Sequence, residues 1–171
     1  MLKIYLTGTE SSGKTTLAQS LSKHYSCPWV PEYARQYLQE RKGEYQFEDL
    51  ESISSGQLEL EQQFVNGSPS KLILDTDQAV LYVWSIHKYG RVAKPIESRL
   101  KAQQGALHLL CSPDIAWEAD PLRESASERT VLFEKYKDTL NTFHLQYIII
   151  EGQGEDRLNN AIRTIEAFIN G

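Results

Sequence analysis

The sequence predicts a three-layer α/β/α domain in which five parallel strands form a sheet between two layers of helices. Short β-like runs alternate with amphipathic helical segments along the chain, which is the order of a parallel α/β fold. Two of the runs, KLILD and QYIIIE, are unbroken apolar stretches, and such strands are usually buried on both faces. The 171 residues contain no internal repeat, low-complexity tract or linker, so we expect a single domain over residues 1–171.

The first predicted strand and the first predicted helix flank a glycine-rich loop. Leu2–Thr7 is an apolar run, and Lys14–Tyr25 follows with Leu17, Leu21 and Tyr25 at four-residue steps. That spacing places the three side chains on one face of a helix. The chain therefore opens with a strand, a loop and a helix.

The middle of the chain repeats this alternation twice. Trp29–Glu32 is a short β-like run, and Phe47–Phe64 is a helical segment with one apolar stripe that ends at an Asn-Gly-Ser-Pro turn. Lys71–Asp75 is the third predicted strand. The next predicted helix, Ala79–Tyr89, is stopped by Gly90.

The last third of the chain contains two more strand–helix pairs. Ala106–Cys111 is the fourth predicted strand, and an apolar stripe over residues 132–143 predicts the helix after it. Gln146–Glu151 is the fifth strand. The final helix covers roughly Asp156–Asn170.

The charge balance excludes one broad class of partner. The formal net charge is −5 and the sequence pI is about 5.4, whereas a surface that binds nucleic acid is normally basic. Any bound anion must therefore be held by a local group of cations and backbone N–H groups. Cys27 and Cys111 form no CxxC pair, and the four histidines have no metal-site spacing, so we expect reduced core thiols and no structural metal.

Membrane attachment is not expected either. No apolar run approaches the ~20 residues that a span requires. The N-terminus shows no basic region followed by a long apolar stretch. We therefore expect a cytoplasmic protein.

The loop after the first strand carries the strongest functional motif. The pattern G-x-x-x-x-G-K-[ST] is met by Gly8, Gly13, Lys14 and Thr15, between a strand and a helix. Its backbone N–H groups and the helix N-terminus can hold phosphate oxygens. We expect Lys14 to reach the β- and γ-phosphates of ATP and the Thr15 hydroxyl to ligate Mg²⁺. The predicted ATP-binding residues are Gly8, Thr9, Glu10, Ser11, Ser12, Gly13, Lys14, Thr15 and Thr16.

Carboxylates follow the strands of the predicted sheet. In an open parallel sheet the ligand lies beyond the carboxyl ends of the strands, and Glu32, Asp75 and Asp77 stand there. Asp75 ends an apolar strand, a position suited to holding Mg²⁺ through water. Glu32 can accept the proton of an attacking hydroxyl. The alternative for each acid is a cap on the next helix, which we favour for Asp114 and Glu151.

Gln57 is a further candidate for substrate binding. It lies on the apolar stripe of its helix, in line with Ile53, Leu60 and Phe64. A buried amide needs hydrogen-bond partners, so Gln57 is either satisfied inside the core or contacts a ligand.

Residues 112–130 form a polar segment with two prolines and two arginines, Arg123 and Arg129. Beside a phosphate loop, this composition predicts a lid whose guanidinium groups stabilise charge on the transferring phosphoryl group and exclude water. A kinase needs such a lid and an acceptor pocket, whereas a regulatory ATPase needs a device that aligns water. We therefore favour phosphoryl transfer.

Six stretches of the sequence together point to a known family. They are GTESSGKTTLA, PEYAR, the Gly56–Gln57 pair with Glu61, LILDTD, PDIAWEADPLRE with the following Arg129, and EGQGEDR. In this order, and over nearly the whole chain, they resemble the ribosylnicotinamide kinase domain of NadR-type proteins. The phosphate loop alone is shared by many proteins, and the combination is far more specific.

The resemblance implies a P-loop kinase fold with strand order 2-3-1-4-5. It also implies transfer of the γ-phosphate of ATP to the 5′-hydroxyl of nicotinamide riboside. By the same resemblance, Tyr33 and Trp117 belong with Glu32 and Asp75 on the acceptor and metal side, with Trp117 a candidate for stacking on the pyridine ring. Arg157, in the loop after the last strand, is expected near adenine. The larger members of that family carry DNA-binding and adenylyltransferase segments, which this sequence does not show.

The sequence thus predicts an ATP- and Mg²⁺-dependent kinase for a small-molecule acceptor, and the resemblance implies that this acceptor is nicotinamide riboside. Lys14, Glu32, Asp75, Arg123 and Arg129 are the predicted catalytic residues, with Glu32 preferred over Asp75 as the base. Two alternatives stay open at this point. The acceptor is another nucleoside or a nucleoside monophosphate, or the protein is an ATP-binding regulatory ATPase. The sequence makes no prediction of the oligomeric state.

Overall fold

A computed structural model of the chain describes residues 1–123 and 127–171. Five strands form one parallel sheet with the order β2-β3-β1-β4-β5, so the predicted fold class and strand order are confirmed. The strands are β1 (Leu2–Thr7), β2 (Trp29–Val30), β3 (Lys71–Leu74), β4 (Leu107–Cys111) and β5 (Gln146–Ile150).

Seven helices are present among the described residues, of which the sequence predicts five. Each predicted helix is found with bounds that shift by a few residues at most. The helices are α1 (Lys14–Tyr25), α2 (Tyr33–Glu40), α3 (Phe47–Val65), α4 (Gln78–Tyr89), α5 (Lys94–Lys101), α6 (Arg129–Thr142) and α7 (Gly154–Asn170). The two that the sequence does not predict, α2 and α5, have eight residues each.

The helices cover the two faces of the sheet. Ile4 and Leu6 of β1 pack against α1 and α7 in one buried cluster, whereas Tyr5, between them, packs with α3 on the other face. Alternate side chains of a strand point to opposite faces, so β1 contributes to both cores. A further cluster joins α4, α5 and α6 on the second face.

Burial of the two unbroken apolar strands differs. Leu72, Ile73 and Leu74 of β3 are fully buried, as predicted from its unbroken apolar run. The same prediction is wrong for β5, where Ile148 and Ile149 are 43% and 38% exposed. The physical reason is position, because β5 lies at the end of the strand order and pairs with β4 alone.

The second strand is also shorter than predicted. It ends at Val30 instead of Glu32, because Pro31 has no N–H to donate to a neighbouring strand and Glu32 is the N-cap residue of α2. Glu32, Asp75 and the loop after β1 all follow the carboxyl ends of parallel strands, so they share one edge of the sheet. Over the two described ranges, no helix is long and apolar enough to cross a membrane.

Candidate functional site

The phosphate loop connects β1 to α1 and depends on two glycines. Gly8 has φ of 132° and Gly13 has φ of 76°, a region that favours glycine. A Cβ at Gly8 would also lie 2.8 Å from the Cys111 carbonyl oxygen. Close packing of the loop against β4 therefore requires glycine at this position.

Lys14 reaches back across the loop. Its Nζ donates to the carbonyl oxygens of Gly8 at 2.9 Å and Thr9 at 2.7 Å. The ammonium group therefore lies beside the curled backbone at the positive end of α1, where it adds to the attraction for phosphate oxygens.

Thr15 and Asp75 are joined by a hydrogen bond of 2.7 Å from Thr15 Oγ1 to Asp75 Oδ2. Asp75 is 3% exposed. Burial raises the pKa of Asp75 to about 7, and the charge of Glu32 contributes to the rise, while the hydrogen bond from Thr15 opposes it.

These two residues fit a magnesium ion. Asp75 Oδ1 is buried without a hydrogen-bond partner in the described structure, and the other oxygen of the same carboxylate accepts from the Thr15 hydroxyl. No group of three or more acidic, histidine or cysteine side chains that could hold a metal occurs within the described ranges. Mg²⁺ in kinases is typically held by one or two carboxylates together with substrate phosphates and water, so a single carboxylate and a hydroxyl suffice.

Glu32 occupies the N-cap position of α2, but its side chain makes no capping hydrogen bond. It lines the cavity that contains the phosphate loop, and its charge acts on Asp75. The carboxylate therefore faces the space next to the predicted phosphates instead of serving the helix.

Asp77, a predicted substrate-binding residue with a helix cap as its alternative, caps a helix in the structure. Its Oδ1 accepts the Val80 N–H at 2.9 Å and caps α4, while Oδ2 accepts from Thr7 and binds His108 Nδ1 at 2.8 Å. It is 1% exposed and is not among the residues that line the cavity. The structure places Asp77 under the site, where it joins β1, α4 and β4.

Gln57 and Tyr33 also lie outside the cavity lining. The Gln57 side chain is satisfied by backbone, because its Oε1 accepts from Tyr33 N and its Nε2 donates to the Pro31 carbonyl. The Tyr33 ring packs against Gly56. Both residues thus support the segment that carries Glu32.

Arg157 is hydrogen-bonded to the phosphate loop from outside the cavity. Its guanidinium donates to the carbonyl oxygens of Ser12 at 2.9 Å, Ser112 at 3.0 Å and Gly152 at 2.7 Å, and it pairs with Asp114. Arg157 is 4% exposed and does not line the cavity. Its expected contact with the adenine stays a prediction.

The two predicted lid arginines flank Trp117. The ring centre of Trp117 lies 6.0 Å from Arg123 Cζ and 5.9 Å from Arg129 Cζ, within reach of a cation–π interaction. Arg123 lines the cavity, whereas Trp117 and Arg129 do not. Arg129, the first residue of α6, donates to the carbonyl oxygens of Pro113 and Ile115. Of the predicted lid, residues 124–126 lie outside the described residues.

Residues 112–123 are the described part of the predicted lid that precedes these three residues. They make hydrogen bonds to the rest of the site that no pattern in the sequence predicts. The Glu118 N–H donates to Ser11 Oγ of the phosphate loop at 2.9 Å. Asp120 accepts from Arg35 of α2 at 3.0 Å. The 112–123 segment therefore bridges the phosphate loop and α2.

One cavity of about 480 Å³ brings these elements together. The predicted residues that line it are the whole loop Gly8–Thr16, Glu32 and Arg123. Apolar and aromatic side chains from α2, α4, α6 and the loop before α3 also line the cavity, together with charged side chains such as Arg35, Lys88 and Glu128. We call the apolar and aromatic part of this lining the aromatic wall, which no motif in the sequence reveals. Its members are Leu38, Tyr45, Val80, Val83, Trp84, Leu132 and Tyr136.

Trp84 is the largest side chain of that wall, and its orientation is fixed. Its indole N–H donates to the Tyr45 hydroxyl at 2.8 Å, and the two rings meet edge to face with centres 4.8 Å apart. The signal for this wall is the spacing of Val80, Trp84 and His87 on α4, which places them on one helix face. Because α4 is apolar on its other faces too, the spacing alone does not reveal a cavity.

Solved structures share this fold. NadR protein in complex with NAD and AMP-PNP has a TM-score of 0.79 and 24% identity over 97% of this chain and 49% of that chain. NadR protein in complex with NR has a TM-score of 0.75 and 23% identity over 99% and 52% of the two chains. Deoxyadenosine kinase from M. mycoides has a TM-score of 0.65 and 12% identity over 97% and 100%.

At these identities the likeness confirms the resemblance to NadR at the level of the fold. The chain spans about half the length of the NadR chains that it matches. The sequence also matches the AAA domain family over residues 3–157. With nearly the whole chain inside that match, the protein belongs to the AAA domain family.

Proposed function

We propose that the protein is an ATP-dependent kinase that phosphorylates a hydroxyl group of a nucleoside. One observation carries the proposal: a single cavity is lined by the phosphate loop, by the Glu32 carboxylate and by an aromatic wall. A loop that can hold the phosphate donor, a proton acceptor and a surface for a planar base therefore line the same cavity, as phosphoryl transfer between two substrates requires.

The donor side of the cavity would bind ATP through residues 8–16. The backbone N–H groups and Lys14 meet the phosphates, while Thr15 and Asp75 hold Mg²⁺. When bound, Mg²⁺ would neutralise negative charge on the β- and γ-phosphates. The unpartnered Asp75 Oδ1 supports this assignment, together with the hydrogen bond from the Thr15 hydroxyl to Oδ2 of the same carboxylate.

Glu32 would accept the proton of the acceptor hydroxyl. As the hydroxyl oxygen bonds to the γ-phosphorus, the bond from that phosphorus to the β,γ-bridging oxygen breaks and ADP leaves. Glu32 suits this role better than Asp75, since Glu32 faces the cavity without a capping bond and Asp75 is engaged by Thr15. In-line transfer depends mostly on positioning and charge neutralisation, so Lys14 and the arginines matter more than the base.

Arg123 and Arg129 would act from the lid. Arg123 lies in the cavity wall, and Arg129 fixes the 112–123 segment through two carbonyl oxygens. Closing this segment over the nucleotide would exclude water from the γ-phosphate and add positive charge near it.

Nicotinamide riboside is the acceptor we propose. The motif set that resembles NadR and the similarity to a NadR structure in complex with NR support it. The base would stack on the aromatic wall at Trp84, which lines the cavity, instead of on Trp117, which does not.

The test is transfer with purified protein, ATP, Mg²⁺ and a panel of nucleosides, with ADP and the phosphorylated acceptor both measured. Nicotinamide riboside should give stoichiometric amounts of both products, and Lys14→Ala should abolish transfer. Activity confined to uridine, thymidine or a nucleoside monophosphate would identify a kinase with another acceptor. ADP release that needs no acceptor would identify an ATPase and refute the proposal.

A further inference from the structure

The amide of Gln57 holds the backbone on both sides of Glu32. Gln57 Oε1 accepts the Tyr33 N–H at 2.8 Å, and Gln57 Nε2 donates to the Pro31 carbonyl at 3.2 Å. The side chain is 1% exposed, so these hydrogen bonds are shielded from competing water. One side chain of α3 therefore fixes the residues before and after the proposed base.

Gly56, the preceding residue, supports the same segment. A Cβ at position 56 would overlap the ring of Tyr33. The absence of a side chain lets that ring lie directly on α3, next to the amide of Gln57. Gln57 thus binds the backbone of Tyr33, the residue after Glu32, and Gly56 packs against its side chain.

Glu32 depends on the support from α3 because the strand hydrogen bonds of β2 end just before it. Strand β2 stops at Val30, and Pro31 has no N–H to hydrogen bond. Glu32 itself is extended, with φ of −72° and ψ of 112°, and its side chain makes no capping bond. The direction of its carboxylate is therefore set by the start of α2 and by the two peptide groups that Gln57 holds.

We propose that Gln57 is a positioning residue for phosphoryl transfer, which aims the Glu32 carboxylate at the acceptor hydroxyl. The inference rests on the proposed function, in which Glu32 accepts the proton. A general base must lie about 2.6–3.2 Å from the proton donor, and a displacement of about 1 Å can cost about 10²-fold in rate. Gln57 contributes to catalysis through Glu32 and does not itself touch the substrates.

The first experiment compares Gln57→Leu with a matched control, Gln62→Leu, on the same helix. Gln62 is exposed, and its amide bonds only Asn66 in the described structure. Gln57→Leu should lower kcat by about 30- to 100-fold with the KM for ATP changed less than about twofold, while Gln62→Leu leaves both unchanged. Equal kinetics for the two variants would overturn the inference.

The second experiment is a double-mutant cycle with Glu32→Gln. If Gln57 acts through Glu32, the double variant should be no slower than Glu32→Gln alone, because the base it positions is already removed. Losses that multiply in full would overturn the inference and assign Gln57 a role elsewhere. Should Gln57→Leu fail to fold, Gln57→Asn, whose shorter amide cannot bridge both groups, enters the same cycle.

Failure of the inference is distinguishable from failure of the proposed function. A wild-type protein that phosphorylates no nucleoside refutes the proposed function before any variant is made. Full activity of Glu32→Gln refutes the assignment of the base, and the inference with it. An active wild type with an impaired Glu32→Gln and an unaffected Gln57→Leu refutes the inference alone.

Discussion

Asp75 makes the stability of the fold depend on pH near neutrality. Burial raises the pKa of its carboxyl from 3.8 to about 7, so between these values the folded protein binds a proton that the unfolded chain releases. Stability contributed by the protonated carboxyl is complete below about pH 4 and is lost as the pH rises through about 7. The ionised form is the one that can hold Mg²⁺, so metal binding opposes this trend.

Chemical denaturation of wild type and Asp75→Asn between pH 5 and pH 8 tests whether ionisation of Asp75 causes this pH dependence of stability. The asparagine variant cannot ionise, so it should lose less stability than wild type as the pH rises, by about 1–3 kcal/mol at pH 8. Adding Mg²⁺ with a non-hydrolysable ATP analogue should reduce the difference. Parallel pH profiles for the two proteins would show that Asp75 ionises normally.

Trp84 and Trp117 offer a matched pair for locating the acceptor base. Trp84 lines the cavity, whereas Trp117 lies outside its lining and between the two arginines. Base–aromatic stacking contributes about 1–3 kcal/mol, so Trp84→Ala should raise the acceptor KM by about 5- to 150-fold. Trp117→Ala should leave it within about twofold, since its ring does not face the cavity. Steady-state kinetics with varied acceptor would contradict this if the two effects were reversed.

Roles of single residues were predictable from sequence where the chemistry is local. The phosphate loop needs only a strand, a helix and consecutive residues between them, so its place in the cavity follows from the motif. Asp77 and Gln57 differ because their partners, His108 and Pro31, are distant in sequence. No pattern within the helix of Gln57 distinguishes an amide that holds backbone from one that holds a ligand.

Among the helices, those with repeated apolar positions were predicted, and the two short ones were not. The helix Lys14–Tyr25 has the predicted bounds because three apolar residues mark its face. The helices α2 and α5 each bury only two apolar side chains, which is too few to define a period of 3.6 residues. The exposure of β5 depends on its place at the sheet edge, which its own composition does not determine.

The 112–123 segment is the element whose coupling to the site can be tested. Its pair of Asp120 with Arg35 joins the proposed lid to the helix that follows Glu32. Asp120→Asn should loosen this link and raise the fraction of ATP hydrolysed without transfer, because a lid that closes poorly admits water. The pair is partly exposed, so the effect on stability should stay below about 1 kcal/mol.

The ratio of ADP formed to acceptor phosphorylated measures that coupling. Glu97→Gln is the control, since it removes a surface pair with Lys101 on α5, and neither residue lines the cavity. Asp120→Asn should raise the ratio severalfold over wild type and control. A ratio of one in all three proteins would show that the link does not contribute to shielding the phosphate.

At the scale of the whole molecule, nucleotide binding should stabilise the entire sheet because the phosphate loop is joined to so much of it. Gly8 packs on β4, Lys14 begins α1, and Arg157 of α7 binds the Ser12 carbonyl. A ligand that binds only the folded protein adds about 2.7 kcal/mol at a hundredfold excess over its Kd. For a chain of this size that corresponds to a rise in Tm of roughly 5–10 °C.

A Mg²⁺ complex of a non-hydrolysable ATP analogue should therefore shift thermal unfolding as one cooperative transition, and Lys14→Ala should remove most of the shift. Nicotinamide riboside added after the analogue should raise Tm further, since the two substrates share one cavity. An equal shift in Tm for wild type and Lys14→Ala would instead place the nucleotide outside the phosphate loop.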